Sequence, residues 1–205
     1  RATSGMMRMD GIHLIDHFRF LMGEIVAVQS FAAPNALPHY EFPDNLTVIL
    51  WFASGAKGRY TVSHTRCAYT LGHDWDAGPR AGHRLTWCIT GTKGSLVMEA
   101  WRSQIQVYHY VAQPRGSNSL KPELHRVLDY SDRPDRGRLF HDMLGYRNDF
   151  LERMARGDAP FQSLADAYRS EVVAVTCDES AYRGGVRMEC GPHAQRPAPT
   201  LSKGI

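Results

Sequence analysis

Most strand-like segments of this 205-residue chain lie in one stretch, between Glu24 and Val111, and helix-like segments stand before and after it. Two of the strand pairs are joined by short turns, SGAKG at residues 54–58 and GTKG at residues 91–94. Turns of this kind between apolar, β-branched runs are typical of antiparallel hairpins. Because strands and helices are segregated, we predict the α+β class, with an open, predominantly antiparallel sheet and helices packed on one face.

The predicted elements follow from hydrophobic periodicity and from the positions of glycine and proline. Strands are expected at Glu24–Phe31, Leu46–Phe52, Arg59–Thr65, Arg84–Thr90, Ser95–Ala100, Gln104–Val111 and Val186–Cys190. Helices are expected at Met9–Gly23, at Phe140–Arg156, and from a Ser163 cap to about Tyr182. The nearly unbroken apolar run Leu46–Phe52 predicts a strand buried on both faces. Residues 66–83 and 114–138 are expected to be irregular, residues 1–190 to form a single domain, and residues 191–205 to be a flexible tail.

The first helix, Met9–Gly23, has an apolar back and a polar front. At 100° per residue, one arc of roughly 120° holds its apolar side chains: Leu14, Ile15, Phe18, Leu21 and Met22. The opposite side holds His13, Asp16, His17 and Phe20. A helix that only packs on a sheet needs just the apolar back, so two imidazoles and a carboxylate on the front indicate a functional surface.

The composition is that of an ordinary globular protein, with 43% hydrophobic and 22% charged residues and a formal net charge of +3. Lysines and arginines are scattered, so no nucleic-acid footprint is present. No apolar run approaches the roughly 18–20 residues of a membrane span. None of the four cysteines pairs as C-x-x-C. We therefore expect buried, reduced thiols and a cytoplasmic protein.

The motifs leave few chemistries open. His13 and His17 lie one helical turn apart, as metal ligands often do, but no third ligand can be singled out, and no metal is expected. The chain has no G-x-S-x-G, no G-x-G-x-x-G and no P-loop, and its glycine pairs lie in hairpins. Proton transfer remains, with His13 as acid or base beside Asp10 or Asp16. The alternative is a structural His13 that bonds a backbone group at the helix start.

Four segments share motifs with one known family. Residues 10–16 (DGIHLID) are similar to a D-x-G-x-H-x-x-D helix, with Met9 where the first Asp of that motif stands and the carboxylate shifted to Asp10. Residues 44–65 resemble its strand–turn–strand, residues 89–99 (ITGTKGSLVME) its second hairpin, and residues 149–189 its terminal helix pair and closing strand. In this order they resemble the C-terminal domain of the glucose–fructose oxidoreductase and inositol dehydrogenase family (Gfo/Idh/MocA).

The resemblance implies a substrate-binding and oligomerisation domain that works with an N-terminal Rossmann domain carrying NAD or NADP. A hydride would pass between the nicotinamide and the substrate, with His13 assisting proton transfer and Asp10 as its partner. The 205 residues contain neither a Rossmann fingerprint nor the family's E-K-P motif, so this chain alone would lack the cofactor-binding domain. The alternative is a non-catalytic binding or assembly module that pairs through its open sheet.

Candidate substrate contacts lie on the first helix and on three other segments. They are Arg8, Asp16, His17, Arg66 and Tyr146. The two arginines favour a hydroxylated or anionic small molecule, and the resemblance implies a sugar or polyol. We expect a homodimer or higher oligomer through the uncovered sheet face, which carries residues such as Trp51 or Trp87.

Overall fold

A computed structural model describes residues 5–35, 37, 40–63, 86–99, 104–112, 120–130, 143–160 and 162–191. Its helices are a π-helical turn, Met7–Gly11, that runs directly into α1 (Ile12–Met22), and then α2 (Met143–Arg156) and α3 (Leu164–Tyr182). Its strands are β1 (Ile25–Ala32), β2 (Asn45–Phe52), β3 (Lys57–Ser63), β4 (Thr86–Thr90), β5 (Gly94–Glu99), β6 (Gln104–Ala112), β7 (Leu120–Asp129) and β8 (Met188–Glu189). The loop predicted at residues 66–83 and the predicted tail beyond residue 191 lie outside the described residues.

The eight strands of the described residues form two four-stranded antiparallel sheets, ordered β3-β2-β1-β8 and β4-β5-β6-β7. Internal contacts divide the chain into two units, each of which contains one of the sheets. The first unit comprises Arg1–Arg66 and Gly157–Ile205, and the second comprises Cys67–Arg156. The α+β class is confirmed. The single domain expected over residues 1–190 stays a prediction. Among the described residues, every helix is too short or too polar to cross a membrane.

In the first unit, α1 and α3 pack on one face of the β3-β2-β1-β8 sheet. The even-numbered residues of Leu46–Phe52 are at most 3% exposed and point into this core, whereas the odd-numbered ones are half-buried. The prediction that this strand is buried on both faces is therefore wrong, because alternate side chains of a strand point to opposite faces and only one face carries the helices. On the outer face, Lys57 Nζ lies 5.5 Å and the Arg187 guanidinium 5.0 Å from the centre of the Trp51 ring.

Helix ends in this unit lie where capping residues predict them. Gly23 ends α1 with a φ of 87°, a conformation that favours glycine, and its N–H donates to the carbonyl of Arg19 at 3.1 Å. Ser163 begins α3, and its Oγ accepts the N–H of Asp166 at 3.0 Å. Only the first helical segment begins earlier than expected, because the turn Met7–Gly11 already has helical backbone.

The apolar back of α1 differs from the predicted arc at one edge. Four of its five predicted residues are buried or packed against the core: Leu14, Ile15, Phe18 and Met22. The fifth, Leu21, is 46% exposed, so its predicted burial is wrong. Arg19 is fully buried instead. The physical reason is that α3 lies against the side of α1 that carries Arg19 and bonds to its guanidinium.

The second unit contains a strand that the sequence pattern does not predict. β7, Leu120–Asp129, lies in the segment expected to be irregular and pairs along β6. Nearly all its side chains are exposed, and it contains Pro122, which an edge strand tolerates because one row of its N–H groups has no neighbouring strand. In β4, the half-buried Trp87 and Ile89 alternate with exposed residues. Cys88 is one of the exposed residues, so its predicted burial is wrong.

Candidate functional site

The front of α1 borders a cavity of about 270 Å³ in the first unit. The lining residues come from α1, from α3 and from the turn before α3: Ile12, His13, Asp16, His17, Gln162, Ala167 and Ser170. Three of the predicted site residues, His13, Asp16 and His17, thus lie together on one wall. Residues three and four positions apart on a helix share a side, which explains why local spacing groups them.

Asp16 is held by donors that reach one and the same carboxylate oxygen. Ser170 Oγ donates to Asp16 Oδ1 at 2.9 Å, and Gln162 Nε2 donates to the same atom at 2.8 Å. Arg19 Nη1 lies 3.7 Å from this oxygen. Among the described residues, no donor reaches Oδ2, and the Asp16 side chain is 33% exposed. One carboxylate oxygen is therefore available to accept a hydrogen bond from a ligand.

Behind Asp16, the Arg19 guanidinium is fully buried and its charge is balanced. Its Nε and Nη2 atoms donate to the two carboxylate oxygens of Glu24 at 3.3 and 3.0 Å. Its Nη1 atom donates to the carbonyl of Asp166 at 2.9 Å and to Ser170 Oγ at 2.8 Å. Because Glu24 neutralises this charge inside the protein, Arg19 binds α1 to α3 and lends little positive charge to the cavity.

The protonation of His17 reflects its place in the cavity wall. Partial burial lowers the pKa of His17, the neighbouring Asp16 carboxylate raises it, and the His13 imidazole lowers it. The resulting pKa lies below the usual 6.5, so the neutral imidazole predominates at pH 7. Asp16 then carries the only permanent charge among the described residues that line the cavity.

The α1 residues that line the cavity lie within a segment that matches a known family. Residues 1–97 match the family model described as the GFO/IDH/MocA C-terminal domain. The match covers 97 of the 205 residues. The resemblance inferred from the motifs is thereby confirmed. A comparison with curated proteins gives no match.

Solved structures share the fold of this chain. A levoglucosan dehydrogenase in complex with NADH has a TM-score of 0.62 and 20% identity, over 92% of this chain and 50% of that one. An oxidoreductase from Agrobacterium radiobacter, in complex with NAD+, L-tartaric acid and magnesium, has a TM-score of 0.61 and 21% identity, over 91% and 49%. An NAD binding oxidoreductase from Klebsiella pneumoniae has a TM-score of 0.62 and 18% identity, over 92% and 51%. The chain spans about half the length of these structures.

Two of the predicted site residues do not line the cavity. Arg8 forms an ion pair with Glu171, with 2.6 Å between Arg8 Nε and Glu171 Oε1. Asp10 is exposed. Burial raises the pKa of Tyr60, and the charge of Asp10 adds to this effect. The pairing of Asp10 with His13 and the contact of Arg8 with substrate stay predictions.

Of two further predicted residues, one belongs to the second unit and the other is not described, and four cavity residues were not predicted. Tyr146 is a 56% exposed residue of α2 in the second unit, and Arg66 lies outside the described residues. The unpredicted lining residues are Ile12, Gln162, Ala167 and Ser170. The Ser163 cap predicts the start of α3 and so the region that contains Gln162, Ala167 and Ser170. No local sequence pattern shows, however, that α3 packs against α1.

Among the described residues, the glycine turns do not form a dinucleotide phosphate site, and no side-chain cluster forms a metal site. Dinucleotide phosphates bind at a glycine-rich turn between a strand and a helix, whereas Gly55 and Gly91 lie in antiparallel hairpins. In the part of the chain that the structure describes, no group of three or more His, Cys, Asp or Glu residues is placed to hold a metal ion. The cavity, at about 270 Å³, is slightly smaller than the roughly 300–1,000 Å³ typical of ligand sites, so it suits a small molecule.

Proposed function

We propose that this chain is the substrate-binding domain of an NAD(P)-dependent oxidoreductase that acts on a small, neutral, hydroxylated molecule such as a sugar or polyol. The observation that carries the proposal is the cavity on the front of α1, where His13, Asp16 and His17 form one wall. The family match and the oxidoreductase neighbours support the reaction class. The neighbours, about twice as long and solved with NADH or NAD+, support an N-terminal Rossmann domain as the holder of the cofactor.

The polarity of the cavity favours hydroxyl groups over anions. Asp16 Oδ2 can accept a hydrogen bond from a hydroxyl, and the imidazoles of His13 and His17 can each donate or accept one. A carboxylate or phosphate ligand would instead be repelled by Asp16, whose negative charge is the only permanent one among the described lining residues. The guanidinium of Arg8 does not offset this repulsion within the cavity, because it is paired with Glu171.

His13 is the residue that we propose to carry the proton. Its exposed side chain lines the cavity, and histidine is the most frequent general acid or base in enzymes. His13 would take the proton from the substrate hydroxyl during oxidation and return it in the reverse direction. Hydride acceptance is the chemistry that the nicotinamide of the other domain would supply. We further propose a cytoplasmic homo-oligomer that pairs through an open sheet face, which the half-buried outer face of β2 supports.

The proposal is tested by following the histidine ring signals of this chain by NMR while levoglucosan is added. We expect the His13 and His17 signals to shift in a saturable manner. L-tartrate, a small hydroxylated dianion, should leave them in place because Asp16 repels it. Asp16→Asn is expected to weaken levoglucosan binding about tenfold or more, which is the usual loss of a hydrogen bond to a charged group.

Asp158→Asn is the matched control, since Asp158 is exposed and does not line the cavity. It removes the same charge and should leave the affinity unchanged. The proposal is wrong if neither levoglucosan nor a panel of other monosaccharides and polyols shifts the two histidine signals. It is also wrong in its charge preference if L-tartrate shifts them as strongly as the neutral sugars do.

A further inference from the structure

We propose that Ser170 is a positioning residue for Asp16. Ser170 links the buried Arg19 guanidinium to Asp16 Oδ1 and so keeps Oδ2 available to the cavity. This inference deepens the proposed function, because it rests on Asp16 serving the ligand site. Its test uses no ligand, and its outcome is therefore separate from that of the binding experiment.

The direction of the hydrogen bonds in this link is fixed by chemistry. A guanidinium only donates, so Ser170 Oγ must accept the Nη1–H of Arg19 at 2.8 Å. The single hydrogen of the Ser170 hydroxyl is then given to another acceptor, and Asp16 Oδ1 lies at 2.9 Å. Ser170 is 1% exposed, so water does not compete for this hydrogen. The hydroxyl thereby couples a fixed, buried cation to a carboxylate in the cavity wall.

Arg19 is a rigid anchor for this link. Its other donors are engaged by both carboxylate oxygens of Glu24 and by the carbonyl of Asp166. Gln162 supplies the second donor to Asp16, but it comes from the exposed turn before α3. Two described groups donate to Asp16 at hydrogen-bond distance, and of these only Ser170 is buried.

Loss of the Ser170 hydroxyl should move Asp16 towards Arg19. Asp16 Oδ1 would lose the hydrogen bond from Ser170, and Arg19 Nη1 would lose Ser170 as an acceptor. These two atoms, Asp16 Oδ1 and Arg19 Nη1, lie 3.7 Å apart. Their mutual attraction draws the carboxylate inward, away from the cavity. Since Asp16 attracts the protonated form of His17 and the His13 imidazole opposes it, a retreat of Asp16 should lower the pKa of His17.

The experiment is a pH titration of the His17 ring signal by NMR, with His17→Gln to assign that signal. In Ser170→Ala the midpoint is expected to fall by about 0.3–0.5 of a pH unit, the size expected for a partly solvated charge that recedes by a few ångström. Ser170→Thr keeps the hydroxyl and should restore the wild-type midpoint. In an Asp16→Asn background, where the charge is already gone, Ser170→Ala should cause no further fall.

Ser180→Ala is the matched control. Ser180 is a second fully buried serine of α3, and its Oγ accepts the N–H of Ser30 at 2.9 Å and donates to the carbonyl of Val186 at 2.6 Å. This variant removes a comparable pair of hydrogen bonds without touching Asp16, so the His17 midpoint should stay at its wild-type value. The inference is overturned if Ser170→Ala leaves the midpoint unchanged, if Ser180→Ala lowers it equally, or if the Asp16→Asn background does not suppress the effect. A chain that binds no sugar would refute the proposed function alone.

Discussion

Replacement of Arg19 by methionine isolates the buried ion pair behind the candidate site. Methionine replaces the aliphatic part of the arginine side chain and carries no charge. The Glu24 carboxylate, which is only 3% exposed, then loses its bidentate partner. Removal of one member of a buried ion pair typically costs about 3–5 kcal/mol, because the remaining charge is uncompensated. We expect Arg19→Met to lower the free energy of unfolding of the first unit by this amount.

The assay must report on the first unit, since the chain divides into two units that need not unfold together. Amide hydrogen exchange at Val48 of β2 and Val173 of α3 serves this purpose, because both residues are fully buried in the core of this unit. Arg183→Met is the control. It breaks an exposed i,i+4 ion pair with Glu179 on the same unit and should change the free energy by no more than about 0.5 kcal/mol.

The double variant Arg19→Met/Glu24→Met separates the two possible origins of the loss. A buried ion pair replaced as a whole by apolar side chains is often neutral or stabilising, so the second substitution should recover most of the stability. A double variant as unstable as Arg19→Met would refute the reasoning, since the loss would then come from packing or from the bonds to α3. A loss below about 1 kcal/mol in Arg19→Met would refute it as well.

The cavity, the proposed proton carrier and a buried carboxyl group each allow another test. Ala167→Leu fills the cavity and should abolish the levoglucosan-dependent NMR shifts, whereas Ala165→Leu, at an exposed position of α3, should preserve them. In the full-length oxidoreductase, His13→Gln should lower kcat at least about a hundredfold with the Kd for NADH unchanged, and an unchanged kcat would remove His13 from the reaction. Burial raises the pKa of Asp178 from the usual 3.8 to about 6, so its ionisation opposes folding. Relative to Asp178→Asn, the wild type should gain about 2 kcal/mol in free energy of unfolding from pH 7 to pH 4, and a pH-independent difference would contradict this.

Elements that depend on a few neighbouring residues were predictable. The β2–β3 hairpin follows from the turn at residues 54–58, and α1 ends at Gly23 because that position needs a positive φ. Ser163 marks the start of α3 through its bond to a backbone N–H of the first turn. Helical spacing alone places His13 and His17 on one side of α1, which is the wall of the cavity.

Features that depend on distant partners were not predictable. β7 is a strand because β6 offers it backbone partners along Gln104–Ala112, while its own side chains are nearly all exposed and carry no alternation. Gln162 and Ser170 reach Asp16 across 146 and 154 positions of the chain. Local periodicity contains no information about such a contact, so two of the cavity's polar residues remained hidden.

The helical wheel of α1 explains why the wrong prediction for Leu21 and the missed burial of Arg19 belong together. Helix angles are counted from His13 at the origin, with about 100° per residue. The polar front then runs from Asp16 at about 300° through His13 to His17 at about 40°, and the predicted apolar arc is centred at about 140°. Arg19 then falls at about 240° and Leu21 at about 80°, on the two opposite borders between front and back. Because α3 covers the first border and leaves the second open, the arginine is buried and the leucine is 46% exposed.

The border that α3 covers is also the border of the cavity. An arginine buried there requires partners for its charge and for its donors, and Glu24 and Ser170 supply them. Ser170 accepts from Arg19 and donates its own hydroxyl hydrogen to Asp16, which is the next polar residue towards the front of α1. The packing of α3 on the Arg19 side of α1, which the apolar arc does not predict, therefore also supports the cavity wall. For this reason, variants of Arg19 and Ser170 test the candidate site as well as the fold.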